Sequence, residues 1–152
     1  MTNDITCNID ISMKLVLDTD VMVAAIRSDS GASRKLLVAA LDGHFTLLVS
    51  TSLLIEYEAV MTRPAHLEAS GLSEAEVGAL LDAATAIASP VRLAFHWRPQ
   101  LRDPDDDMVL ETAINGSAKA IVTFNTKHFE PAISKFEIEI WKPGQAVHIL
   151  EL

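Results

Sequence analysis

Residues 14–28, "KLVLDTDVMVAAIRS", pass from an apolar tetrad through Asp18-Thr19-Asp20 into a second apolar stretch, and their reading decides the fold. Lys14 to Leu17 is short and aliphatic, the pattern of a central strand, and the abrupt "DTD" marks its polar end. "VMVAAIRS" then follows at a helical period. The same alternation recurs downstream. "SRKLLVAALDG" pairs Leu36 with Ala40 and Leu37 with Leu41 at helical spacing and stops at Gly43. "FTLLVS", Phe45 to Ser50, reads as the second strand. Thr51 or Ser52 caps the helix "LLIEYEAVMTRP", which Pro64 ends. In "SEAEVGALLDAATAIA" Ser73 and Glu76 stand at capping-box spacing ahead of Val77, Leu80, Leu81, Ala84 and Ala88, an amphipathic helix. "VRLAF" predicts a short strand, an acidic cluster opens a helix to about Asn115, "KAIVTF" is a strand ending at Thr123 and Asn125, and "EIEIW" alternates as a sheet edge does.

Strands alternating with helices of ten or more residues predict an α/β fold, a mostly parallel central sheet flanked by helices in an α/β/α sandwich. Such sheets place their sites beyond the carboxyl ends of the strands. Asp18 follows the first strand, Glu56 lies early in the helix after the second, Asp107 starts the helix that feeds the next inner strand, and Thr123 with Asn125 ends that strand. All of them can meet at one rim.

At 152 residues the chain fits one domain with a single substantial core. Residues 1–12 show no period and are expected to be an extension outside the domain at 13–152. No apolar run approaches the ~20 residues that span a membrane, and the opening "MTNDITCNIDIS" lacks the form of a secretory signal. The expected location is cytoplasmic, and the single cysteine, Cys7, fits a reducing compartment. A net charge of −9 argues against a simple binder with a broad basic surface. It does not argue against an enzyme whose clustered acids hold a metal.

The acids each read two ways. Asp18 either caps the next helix or lines a site. Glu56 breaks an apolar run, Leu53 to Ile55 before it and Tyr57 after, and is either an ordinary helix charge or a carboxylate needing a partner. In "LRDPDDDMVLETA", Asp105 and Asp106 suit the helix start. Asp107, four residues before Glu111, can project toward the rim, while Asp103, extended ahead of Pro104, either reaches the site or faces water. His44, His66, His96, His128 and His148 show no ligand spacing, and no phosphate loop or serine-hydrolase elbow is present. A site of carboxylates alone suits the hard cations Mg²⁺ or Mn²⁺ and metal-assisted phosphoester hydrolysis.

From Met13 to about Trp141 the chain resembles the PIN-domain family, in the branch of toxin components of bacterial toxin–antitoxin pairs. "LVLDTDVMVAAI", "SLLIEYEAVMTRP", "DPDDDMVLETAI" and "AIVTFN" are similar to the family's four motifs in order. The resemblance implies cleavage of single-stranded RNA, an antitoxin partner of a type II pair, and a homodimer. It assigns Asp18, Glu56 and Asp107 to the acidic metal site, and Asp103 is added as a further candidate acid beyond the three matched positions. Thr19 and Thr123 match polar orienting positions. Asn125 matches a fourth site position that is Asp in many members, and Asp20 stands where Asn is frequent. Arg34, Lys35, Arg98, Arg102 and Lys127 are candidates for contacts to the RNA backbone.

Two other readings compete. "DTD" after an apolar strand also resembles the nucleophile motif of haloacid-dehalogenase-type phosphatases, although Met22 departs from that pattern and no later lysine motif follows. A PIN fold acting as a catalytically weak interaction module is the other, motivated by the neutral Asn125.

Overall fold

The computed structural model describes residues 13–94, 104–133 and 135–152, with no side chains described at 104–107 and 131–134. The expectations for residues 1–12, Arg98, Arg102 and Asp103 lie outside the described residues, as does the side chain of Asp107. Five strands form one sheet in the order β3-β2-β1-β4-β5, every neighbouring pair parallel. They are β1 (Lys14–Leu17), β2 (Thr46–Val49), β3 (Ser89–Pro90), β4 (Ala120–Val122) and β5 (Glu139–Trp141). The helices are α1 (Thr19–Arg27), α2 (Ala32–Leu41), α3 (Thr51–Met61), α4 (Pro64–Ser70), α5 (Glu74–Ile87), α6 (Pro104–Asn115), α7 (Thr126–Ile133) and α8 (Pro143–Ile149).

The centre of the sheet follows from the aliphatic runs. Leu15, Val16 and Leu17 are wholly buried, and so are Ala120, Ile121 and Val122 beside them. Burial of a large aliphatic side chain contributes ~1.5–3 kcal/mol, so the most apolar strands take the middle, where both faces are covered. At the β5 edge Glu139 remains exposed and bonds Lys119 at 2.7 Å.

Topology then positions the rim. From β1 the chain moves to β2 and β3 on one side, and crosses over to β4 and β5 on the other. A crevice between strands whose connections diverge opens outside their carboxyl ends, here between β1 and β4. Their register pairs Leu17 with Val122. The next residue on each strand is Asp18 and Thr123, and the Asp18 N–H donates to the Val122 carbonyl at 2.9 Å.

Four local expectations are corrected. The strand expected in "VRLAF" lies earlier, at Ser89–Pro90, and Val91 to Ala94 are irregular; the strand is an edge, where the missing N–H of Pro90 costs no ladder bond. Ser50, not Thr51 or Ser52, caps α3, because β2 ends one residue early and frees its hydroxyl. Pro64 does not end α3, which stops at Met61; it opens α4 at a first-turn position, where a proline needs no N–H. Helices α7 and α8 went unread, since "EPAI" and "PGQ" carry residues that mark turns. The capping box of α5 is present, with Ser73 and Glu76 exchanging side-chain and backbone bonds.

Candidate functional site

Asp18 is both the N-cap of α1 and the first residue beyond β1, and it is buried, with 5% of its surface exposed. Its Oδ1 accepts from the Thr19 N–H at 2.7 Å, and its Oδ2 accepts from the Thr123 hydroxyl at 2.7 Å. Both expected roles, cap and site residue, therefore fall on one carboxylate. Thr123 is itself wholly buried; its Oγ also accepts from the Asn125 N–H at 2.9 Å, and its N–H donates to the Trp141 carbonyl at 2.9 Å. Burial pushes the Asp18 carboxyl above the usual range. The Thr123 and Thr19 bonds, the Asp20 side chain and the charge of His128 oppose that rise without cancelling it.

Asp20 adds a contact that the sequence left undefined. Its Oδ2 accepts from the Asn125 side-chain amide at 2.9 Å and from the Phe124 N–H at 3.3 Å. The α1 start and the segment after β4 are thus joined three times, by Asp18 to Thr123 and by Asp20 to Phe124 and Asn125. The neutral Asn125 acts here as a hydrogen-bond donor to a carboxylate.

Helix α3 is fixed beneath this rim by Tyr57, buried and donating its hydroxyl to the Leu17 carbonyl, one residue before Asp18. Burial, reinforced by the negative charge of Asp18, drives the phenol pKa strongly upward, so Tyr57 stays a neutral donor. Glu56 precedes it on α3 and is half-buried. Helix α6 is tied to α3 through hydroxyls. The Leu53 N–H donates to Ser50 Oγ at 3.2 Å, Ser50 Oγ lies 2.7 Å from Thr112 Oγ, and Thr112 donates to the Met108 carbonyl at 2.8 Å. Because the Thr112 proton is committed to Met108, Ser50 is the donor between them. Position 107 lies in the first turn of α6, one turn before Glu111, which is wholly buried.

The structure thus brings Asp18, Thr19, Thr123 and Asn125 together, and sets the helices carrying Glu56 and position 107 against one another by Ser50 and Thr112. Ser50, Tyr57, Thr112 and the burial of Glu111 were missed as site features, and Asp20 was noted without its partners. Only Asp20 and Glu111 left a signal, as acids beside or one turn from a candidate. Among the described residues no group of three or more His, Cys, Asp and Glu side chains gathers as a metal set, a comparison from which Asp103 and the Asp107 side chain are absent. Of the candidate cations, Lys35 and Lys127 are exposed, whereas Arg34 is half-buried and its Nε donates to the Ala25 carbonyl at 2.6 Å.

The profile of the PIN domain family matches residues 14–127, three quarters of the chain and all of the strand-end elements just described. The chain belongs to the PIN-domain family. Among solved structures this PIN domain is similar to the crystal structure of VapBC2 from Rickettsia felis bound to a DNA fragment from their promoter. The TM-score is 0.59 at 19% identity, over 85% of this chain and 99% of that one, a likeness of fold. No curated protein matches the sequence. The family assignment displaces the phosphatase alternative. PIN domains are typically nucleases and generally metal-dependent. Among the described residues no helix is long and apolar enough to cross a membrane.

Proposed function

We propose that this PIN domain is an endoribonuclease for single-stranded RNA in which Asp18, Glu56, Asp107 and Asp103 hold Mg²⁺ or Mn²⁺. The observation that carries it is the buried, doubly oriented Asp18 carboxyl at the β1–β4 crevice of a PIN fold. The donor chemistry fits a hard cation: the assigned ligands are all carboxylates, and a carboxyl that burial disfavours as an anion gains from a nearby positive charge. When bound, the ion supplies Lewis-acid activation of water and stabilisation of charge on the departing oxygen.

The chain's own residues prepare that chemistry. Thr19 and Thr123 hold both oxygens of Asp18, Asn125 holds Asp20, and Tyr57 fixes the strand end from below. Lys35, Lys127 and Arg34, with Arg98 and Arg102, are assigned to contacts with the RNA backbone. The activity is assigned to residues 13–152 as one cytoplasmic domain. The likeness to VapBC2 supports a toxin role with an antitoxin partner; the type II class and a homodimeric state are taken from the sequence resemblance.

The test is cleavage of a labelled single-stranded RNA in Mn²⁺, beside EDTA and the Asp18→Asn and Asp107→Asn variants. Cleavage lost in all three controls is the expected result. Cleavage that survives EDTA or either substitution in a clean preparation overturns the assignment. The bond from the Asn125 amide to Asp20 favours one second reading, a weakly catalytic interaction module, to which loss of both Mn²⁺ binding and cleavage would point, whereas Mn²⁺ binding without cleavage would point to a selective target.

A further inference from the structure

We propose that Phe124 is a stacking platform for a nucleobase of the substrate strand, next to the acidic site. The inference rests on the single-stranded RNA reading above and names how that strand is held. Phe45, Tyr57, Phe129 and Trp141 are all buried, whereas Phe124 exposes 48% of its surface. A single exposed apolar side chain is ordinary; its attachment here is not. Phe124 lies between Thr123, whose hydroxyl holds Asp18, and Asn125, whose amide holds Asp20. Its own N–H donates to Asp20 Oδ2 at 3.3 Å. The backbone is therefore fixed on both sides of the ring, so binding a base has little main-chain entropy left to remove.

Charge favours such a contact. A chain of net charge −9 repels a polyanion, and the Arg34 guanidinium is already committed in part to the Ala25 carbonyl. Affinity for a strand then gains from something besides phosphate contacts. Stacking on an aromatic face supplies it and tolerates any sequence, because every base has a π-face. Phe124 directly follows Thr123, whose hydroxyl holds Asp18, so the exposed ring is carried at the same strand end as the acidic site. A duplex offers no free base face, which makes the platform selective for single strands.

The experiment compares the full chain with Phe124→Leu, Phe124→Ala and Phe124→Trp, using cleavage of a single-stranded RNA in Mn²⁺ and anisotropy with the same labelled RNA. Leu keeps the apolar bulk and removes the π-face. The expected result is a roughly tenfold rise in KM and Kd for Leu and Ala, kcat within about twofold, and recovery in Trp. Thermal unfolding of these surface variants should match the parent. Phe124→Leu with parental KM and Kd overturns the platform. If the parent binds the RNA without cutting it, the nuclease reading fails alone, and the Kd series still decides the platform. A parent that neither binds nor cuts single-stranded RNA overturns both.

Discussion

Ser50→Ala tests how the two acid-bearing helices are held. The substitution removes the side-chain acceptor that caps α3, about 1 kcal/mol, and the 2.7 Å bond to Thr112, about 1 kcal/mol more. Ser50 is only 2% exposed, so water does not replace either bond. A loss near 2 kcal/mol corresponds to a fall of about 4–8 °C in Tm for a domain of this size. Thr112→Val breaks the same inter-helix bond and leaves the cap, so it should cost about 1 kcal/mol. The double variant cannot lose the shared bond twice; it should cost about 1 kcal/mol less than the two single losses added. Urea unfolding of the four proteins in EDTA, followed by circular dichroism, measures this coupling. Additivity within about 0.3 kcal/mol would refute the hydroxyl link.

Two further perturbations probe the same end of the sheet. A Cβ at Gly116 would lie 2.8 Å from Leu48 Cδ1, 2.9 Å from Val91 Cγ2 and 3.0 Å from the Thr112 carbonyl oxygen, so Gly116→Ala should destabilise by ~1–3 kcal/mol, and an unchanged melting curve would contradict the close approach. Asp18 has a folded-state pKa raised above its unfolded value near 3.8, so the native state binds more protons than the unfolded chain and stability falls as pH rises from about that value through the folded pKa. Metal-free Asp18→Asn should therefore melt above the parent at neutral pH, with the gap closing in acid; a gap independent of pH would remove the burial argument.

The sheet was legible because its central strands are aliphatic enough to fit only the middle of an α/β layer, and each is followed by a helix of clear period. Its irregular parts were not. A two-residue edge strand containing Pro90 has too few ladder bonds to leave a pattern, and the short α7 and α8 begin or break on residues that ordinarily mark turns. At the site, Asp18, Thr123 and Asn125 could be placed from strand ends alone. Tyr57 and Thr112 could not, because a buried tyrosine or threonine on a helix has the same period as any core residue; only the tertiary partner, the Leu17 carbonyl or the Ser50 hydroxyl, reveals its use.

Register explains why the acidic rim forms where it does. Pairing of Leu17 with Val122 makes the following residues neighbours, and a shift by one position would set Asp18 against an apolar side chain. The carboxylate would then be buried without the Thr123 hydroxyl, an arrangement costing more than the ~1 kcal/mol of an ordinary lost bond because the acceptor is charged. The alternating demands of the two strands, apolar until Leu17 and Val122 and polar immediately after, thus select one register and one site together. Asp20 extends the same logic by two residues. Its bonds to Phe124 and Asn125 hold the segment after β4 against α1, so that Asp18, disfavoured as an anion by its own burial, keeps a fixed position in which a cation can offset that cost.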